Sequence, residues 1–290
     1  MKVQDVKNPL SVLATSILGL VIRLESQCTQ PNDIAFYVSA HQDDWQLFCG
    51  EQAVADLKEP DKKVVFIHTT AGDGGRSDGW WEVRERGALA SFRAVTPAAP
   101  LTFSIHQING HKVSVYTCGN TVNYCLRLPD GVGDASLSNL RDNKLASLTA
   151  VDNSTTYHGW QDFCKTLEMI MELERSQIGT ENPWVNALDY NSTRNPGDHC
   201  DHKATADAVR LFASNRYNRA WWSAYDIQNR APNLSGAALA SKRKTFKSYS
   251  DTVLLETTLN GFPVPLDEQE WQSWGNRSYV TIRNFGMADD

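Results

Sequence analysis

The sequence predicts an α/β fold built on a parallel sheet, and two observations carry the prediction. Residues 34–40 (IAFYVSA) and 64–70 (VVFIHTT) are short runs of apolar, β-branched and aromatic residues, the signature of buried strands. Each is followed by a stretch with helical spacing, 45–57 after the first and 81–95 after the second. Strand–helix–strand–helix order implies parallel neighbours joined by right-handed crossovers. With 290 residues, 41% of them hydrophobic, the chain can bury one large core or two small ones.

Pro31-Asn32-Asp33 starts the first strand, and the second runs into the glycine-rich loop 71–75. Thr96-Pro97 closes the helix that follows, because proline cannot continue it. Residues 114–117 and 123–128 read as a hairpin pair ahead of Pro129-Asp130-Gly131. An amphipathic helix is expected over 161–177, a short strand over 184–188, and a polar loop over 191–198. A helix over 202–213, a strand over 219–225 and two helices over 236–247 and 250–259 come next. The tail, with Trp271, Trp274, Tyr279, Val280 and Ile282, is expected to pack back as an irregular segment and an edge strand. No repeat, low-complexity tract or linker interrupts this order, so residues 31–290 read as a single domain.

Residues 1–30 read differently. Lys2 and Lys7 precede an apolar stretch, 10–22, of signal-peptide length and too short to span a membrane. Asp5 in the leading region and Arg23 directly after the run argue instead for an amphipathic helix packed on the domain. Export from the cytoplasm is the favoured expectation and a cytoplasmic location the alternative.

The net charge of −6 and the lack of a lysine or arginine stripe exclude a nucleic-acid partner. The densest basic cluster, Lys242-Arg243-Lys244, reads as a solvated helix face. Nine tryptophans and nine tyrosines serve either a core or a sugar pocket. Six cysteines, at 28, 49, 118, 125, 164 and 200, are too sparse for a disulfide scaffold, and no CxxC pair suggests a zinc knuckle. Cys118 and Cys125 flank a Gly119-Asn120 turn and could bridge a hairpin in an oxidising compartment.

Two clusters carry chemistry. The first, His41-Gln42-Asp43-Asp44-Trp45, directly follows a buried strand, where ligands bind in parallel sheets. A histidine and an aspartate three apart on a turn entering a helix can aim at one cation. Neighbouring side chains diverge, so one of the two adjacent acids stays free to take a proton. The second cluster, Asp198-His199-Cys200-Asp201-His202, opens a helix and puts two histidines on one face. Each alone has an ordinary reading: a hydrogen-bonded histidine after a strand, or an acidic N-cap, with Asp198 capping the second helix. Together they supply three ligands, a spare acid and a spare histidine, the composition of a catalytic zinc site.

These motifs resemble the PIG-L or LmbE-like zinc deacetylases. Ala40-His41-Gln42-Asp43-Asp44-Trp45 is similar to the family's (A/P)HPDDE, and His199-Cys200-Asp201-His202 matches its HxDH. The loop from Thr70 to Gly75 and the helix residue Arg84 also resemble family features, and the likeness covers roughly residues 34 to 215. It implies a Rossmann-like three-layer sandwich with a mostly parallel sheet. It further implies Zn²⁺ on His41, Asp44 and His202, with Asp43 as general base. His199 would stabilise the oxyanion, Asp201 would orient a histidine, and Asp73 and Arg84 would contact substrate. The implied reaction removes an N-acetyl group from an amino-sugar substrate or glycoconjugate. Hydration of an unsaturated acid and non-catalytic sugar binding are the alternatives. Gln42, Trp45 and Gly87 stand where members carry Pro, Glu and Glu. Trp80, Trp81 and Tyr190 are candidates for a pocket wall.

Overall fold

A computed structural model describes residues 30–96, 99–131, 134–181, 183–262 and 267–289. The expectation for the apolar stretch 10–22 falls outside them, as does Cys28. The first two expected strands are β1 (Asp33–Ser39) and β2 (Lys62–Thr70), paired in parallel with Ala35 opposite Val64. Between them two helices, α1 (Asp44–Phe48) and α2 (Gly50–Lys58), replace the single one expected over 45–57. The chain bends at Cys49 (φ −140°, ψ 23°). A Cβ on Gly50 would lie 2.9 Å from Cγ of Lys242, so the bend occurs where a later helix presses close.

Beyond α3 (Trp80–Arg93) the chain forms β3 (Leu101–Ile108), β4 (His111–Cys118) and β5 (Thr121–Leu128). β4 and β5 are the expected hairpin, turned at Gly119 (φ 59°) and Asn120. β3 has no counterpart among the expected strands. It is an outer strand exposed along most of its length; Leu101, Phe103 and Ile105 alternate with polar residues, but they do not form the continuous apolar run of the central strands. The hairpin is not bridged: in register Cys118 faces Thr121 and Cys125 faces Ser114, and both thiols are free. A helix α4 (Leu137–Arg141) and a two-stranded ribbon, β6 (Leu148–Thr149) with β7 (Thr156–Tyr157), lead to α5 (Trp160–Ser176). Then come β8 (Trp184–Leu188), α6 (Cys200–Ala213) and β9 (Asn218–Trp222).

The two helices expected over 236–259 are one, α7 (Gly236–Asn260). No glycine or proline interrupts it, and it lies against α3 where Gly87 leaves room. A Cβ on Gly87 would come within 2.7 Å of Tyr249 and 2.9 Å of Val253. The family glutamate that Gly87 replaces would therefore collide with α7. Lys242, expected on a solvated face, is buried, and its Nζ donates to the carbonyl of Arg277 at 2.6 Å. The tail supplies α8 (Asp267–Glu270), a π-helical turn (Trp271–Gly275) and β10 (Val280–Arg283), the expected edge strand.

Among the described residues, eight strands form one sheet in the order β10-β9-β8-β1-β2-β5-β4-β3. The five central strands are parallel, with antiparallel pairings toward both edges. Alternate side chains feed two cores. Ile34, Phe36, Val38, Val65 and Ile67 face Phe163 and Leu167 of α5 and Ala204 and Val209 of α6. Ala35, Tyr37, Val64 and Phe66 face Trp45, Phe48, Val83, Phe92 and Phe246 on the other side. Burial on both faces explains why these strands read as continuous apolar runs. The result is the expected three-layer α/β sandwich with a mostly parallel sheet. The loops after β1, β2, β5 and β8 all leave the carboxyl ends of the parallel strands, where a site is to be sought.

Candidate active site

His41 follows β1 by two residues, and its backbone N–H donates to Oδ2 of Asp44 at 2.7 Å, closing the turn into α1. Oδ1 of Asp44 lies 3.5 Å from His41 Nδ1. His202, in the first turn of α6, places Nε2 3.0 Å from His41 Nδ1 and 3.0 Å from Asp44 Oδ1. Two imidazole nitrogens and one carboxylate oxygen thus form a triangle. Ligand atoms about 2.0–2.1 Å from a tetrahedral ion stand about 3.3 Å apart, so the triangle is close to one face of such a site. The arrangement is a candidate metal site, and the nitrogens of His41, His199 and His202 also converge within 4.8 Å.

Its electrostatics favour a cation. Burial alone would push the Asp44 carboxyl up, but His202 and His41 hold it well below the usual carboxylate range. Burial pulls His41 down, yet Asp44 and a hydrogen bond to Asp130 carry it up to about 10. His202 is likewise raised against its burial, by Asp198 and Asp44. Positive charge is held here by carboxylates that a metal ion would satisfy equally well.

The outer partners differ from expectation. Asp198, read as an N-cap, accepts from Nδ1 of His202 at 2.8 Å. Asp130, which in sequence is only part of a Pro-Asp-Gly turn, lies 3.3 Å from Nε2 of His41. These are the carboxylate–histidine pairs that orient metal ligands. Asp201, expected to orient a histidine, comes no nearer than 3.9 Å to His199 Nδ1. Its Oδ2 instead accepts from the backbone N–H of Gly131 at 2.6 Å, because its place in the first turn turns it toward the 130 loop. The cap of α6 is His199, whose Nδ1 accepts from Asp201 N at 3.3 Å. Its proton in the neutral form is therefore on Nε2, 3.7 Å from Asp130 Oδ1. Burial first, then the charges of His41 and His202, pull His199 down to about 4, so it stays neutral at ordinary pH.

Asp43 diverges from Asp44 and meets Arg84, whose Nη2 donates to Oδ1 at 2.5 Å. Arg84 also donates to the carbonyl of Gly72 (2.9 Å) and to the Tyr249 hydroxyl (3.0 Å). Expected to contact substrate, it lines the cleft beside the site and also holds Asp43. Asp73, expected in the same role, is buried between loops and accepts from the N–H groups of Asp130 (2.8 Å) and Gly75 (3.0 Å). Gln42, in the place of the family proline, ties the turn to the sheet by donating to Thr70 O at 2.9 Å. Trp45 packs beneath the site, its ring 4.7 Å from that of Phe66.

Above the triangle is a cleft of about 120 Å³, with Asp43, Asp130 and His199 on its polar side. Its other side is aromatic: Phe48, Tyr225 and Trp274, the last two stacked at 4.9 Å and 11°. The wall residues expected from the sequence lie elsewhere. Trp80 packs on Phe262, Trp81 lies under Arg127, and Tyr190 packs on Trp221. Leu47, Arg84 and Glu270 complete the lining. Nothing in the spacing of Tyr225, Glu270 or Trp274 marks them. Asp130 is the missed residue that had a signal, since it follows a strand end as His41 does.

No family model matches the sequence, and no curated protein matches it. Among solved structures, a deacetylase of the teicoplanin biosynthesis pathway is similar at 13% identity and a TM-score of 0.47, over 86% of this chain and 96% of that one. The pseudoaglycone deacetylase Dbv21 is 15% identical over 87% and 96% of the two chains, TM-score 0.44. The N,N'-diacetylchitobiose deacetylase of Pyrococcus horikoshii is 14% identical over 87% and 84%, TM-score 0.43. Likeness this remote carries no inference about chemistry.

Proposed function

We propose that this chain is a zinc-dependent hydrolase that removes an N-acyl group from an amino-sugar substrate. The observation that carries the reading is the His41–Asp44–His202 triangle, with a carboxylate and a neutral imidazole beside it on an open cleft. Two nitrogens and one oxygen suit Zn²⁺ better than Mg²⁺ or Ca²⁺, which take oxygen ligands, and three protein ligands leave a position for water. Zinc bound there supplies a Lewis acid that brings water's pKa to about 7.

The remaining steps belong to the chain. Arg84 fixes one oxygen of Asp43 and leaves the other to receive a proton from the attacking water. His199, neutral with its proton on Nε2, donates a hydrogen bond to the acyl oxygen as negative charge grows there. The proton held by Asp43 then passes to the departing amine, releasing carboxylic acid and free amine. Phe48, Tyr225 and Trp274 offer flat apolar surface to the face of a sugar ring. The motif resemblance supports the acyl and sugar classes.

The test combines metal analysis with acetate release from a panel of N-acetylated sugars. The wild type should carry about one zinc and release acetate and amine in equal amounts. Asp43→Ala should keep the metal and lose on the order of 10²–10⁴ in turnover. A metal-loaded protein that releases acetate from no member of the panel refutes the reading.

A further inference from the structure

The C-terminal segment brings to the cleft an acid that the chemistry above does not use. Glu270 ends α8 and lines the cleft, and its Oε2 is buried with no hydrogen-bond partner among the described residues. Arg84, which lines the same cleft, directs its donors to Asp43, Gly72 and Tyr249. Trp274, one turn further on, is fixed by donating from Nε1 to Tyr225 O at 3.2 Å and by stacking on Tyr225. One short turn therefore presents an aromatic face and an unsatisfied carboxyl side by side. A sugar ring has the matching parts, a CH-bearing face and a hydroxyl-bearing edge. Buried polar atoms left without partners in a folded chain are uncommon, and a ligand that completes them is selected strongly.

We propose that Glu270 is a specificity residue that hydrogen-bonds a ring hydroxyl of the sugar carrying the acylated amine, while Trp274 covers that sugar's face. This rests on the deacetylase reading and deepens it, assigning recognition to a segment outside the two motifs. Burial, and then the charge of Asp43, push the Glu270 carboxyl up to about 8, so it can donate as well as accept at neutral pH.

The experiment compares wild type, Glu270→Gln and Glu270→Leu on the best substrate of the panel and on analogues deoxygenated at each ring hydroxyl. Glu270→Leu should lower kcat/KM about 10- to 100-fold through KM, with metal content unchanged. Glu270→Gln, which keeps a donor and an acceptor, should stay within about fivefold. One deoxy analogue should cost the wild type the same factor and cost Glu270→Leu nothing more. An unchanged kcat/KM in Glu270→Leu, or losses that simply add for every analogue, overturns the assignment. Acetate release by the wild type reports separately on the hydrolase reading. Should there be none, N-acetylglucosamine binding is read by tryptophan fluorescence. Weaker binding in Glu270→Leu sustains the role of Glu270, and equal binding or no binding by the wild type overturns it.

Discussion

Asp198 contributes no ligand to the proposed metal triangle, yet replacing it should weaken the metal measurably. Its carboxylate accepts from His202 Nδ1 at 2.8 Å, and both side chains are fully buried. Asp198→Asn keeps the shape and an acceptor oxygen and removes the charge that makes the opposite ring nitrogen a better ligand. Such outer-partner changes cost about 10–100-fold in metal affinity, which is about 1.4–2.7 kcal/mol. With free metal in excess over its dissociation constant, the stabilisation that metal confers falls by the same amount. For a chain of this size each kcal/mol is worth roughly 2–4 °C, so the metal-dependent rise in Tm should shrink by about 3–10 °C. The assay is calorimetry of wild type and variant, each with excess zinc and with chelator, alongside a competition titration for affinity. The loaded-minus-stripped difference is the quantity read, because the variant also removes a charge from beside His202 in the stripped protein. An identical metal-dependent shift in the two proteins would refute the claim that Asp198 tunes His202 as a ligand.

Gly72 has φ +56°, and a Cβ there would meet Gln42 Oε1 at 2.5 Å and Arg84 Nη1 at 2.6 Å, whereas one on Gly74, at φ +58°, would meet nothing within 4 Å among the described residues. Chemical denaturation should therefore show Gly72→Ala costing roughly 2–4 kcal/mol and Gly74→Ala only about 1–2 kcal/mol, the left-handed conformation alone. Equal losses would remove the steric argument. For Glu270 the folded-state pKa lies above the ordinary carboxyl value, so the folded protein holds a proton that the unfolded chain has released. Its contribution is present below about pH 4.5 and is lost as pH rises toward 8. Stripped of metal, Glu270→Gln should match wild type near pH 4.5 and exceed it by roughly 2–4 kcal/mol near pH 9. A stability gap that stays flat with pH contradicts the burial of this carboxyl.

The sequence was most informative where chemistry and local geometry coincide. His41 and Asp44 are three apart on a turn leaving a buried strand, and His202 sits in the first turn of a helix, so short-range spacing predicts the direction of each. Asp198 and Asp130 act across distance. Whether each is a cap or a partner depends on where the loops after β8 and β5 meet, which local pattern does not encode. The aromatic wall shows the same limit from the other side. Trp80, Trp81 and Tyr190 are as aromatic as Tyr225 and Trp274, but composition says nothing about which way a ring points. In the fold, the central strands were legible because burial on both faces leaves continuous apolar runs. β3 was not, since an exposed outer strand has no such run. The helix break at Cys49 and the continuity of α7 both depend on packing between α7 and the first half of the chain, which no window of sequence contains.

That packing has a consequence for what counts as the smallest competent piece of this protein. Tyr249 of α7 accepts from Arg84, and Arg84 holds Asp43, so the helix seated on Gly87 reaches the proposed base through two hydrogen bonds. Every residue of the two motifs lies before Ala213, where α6 ends. A fragment cut there would keep all three members of the metal triangle but lose Tyr249, one of the two acceptors that hold Arg84 besides Asp43, and with it the wall residues Tyr225 and Trp274, and Glu270. The motifs mark out a place to hold a metal. The final quarter of the chain supports the proposed base beside it and shapes what can approach.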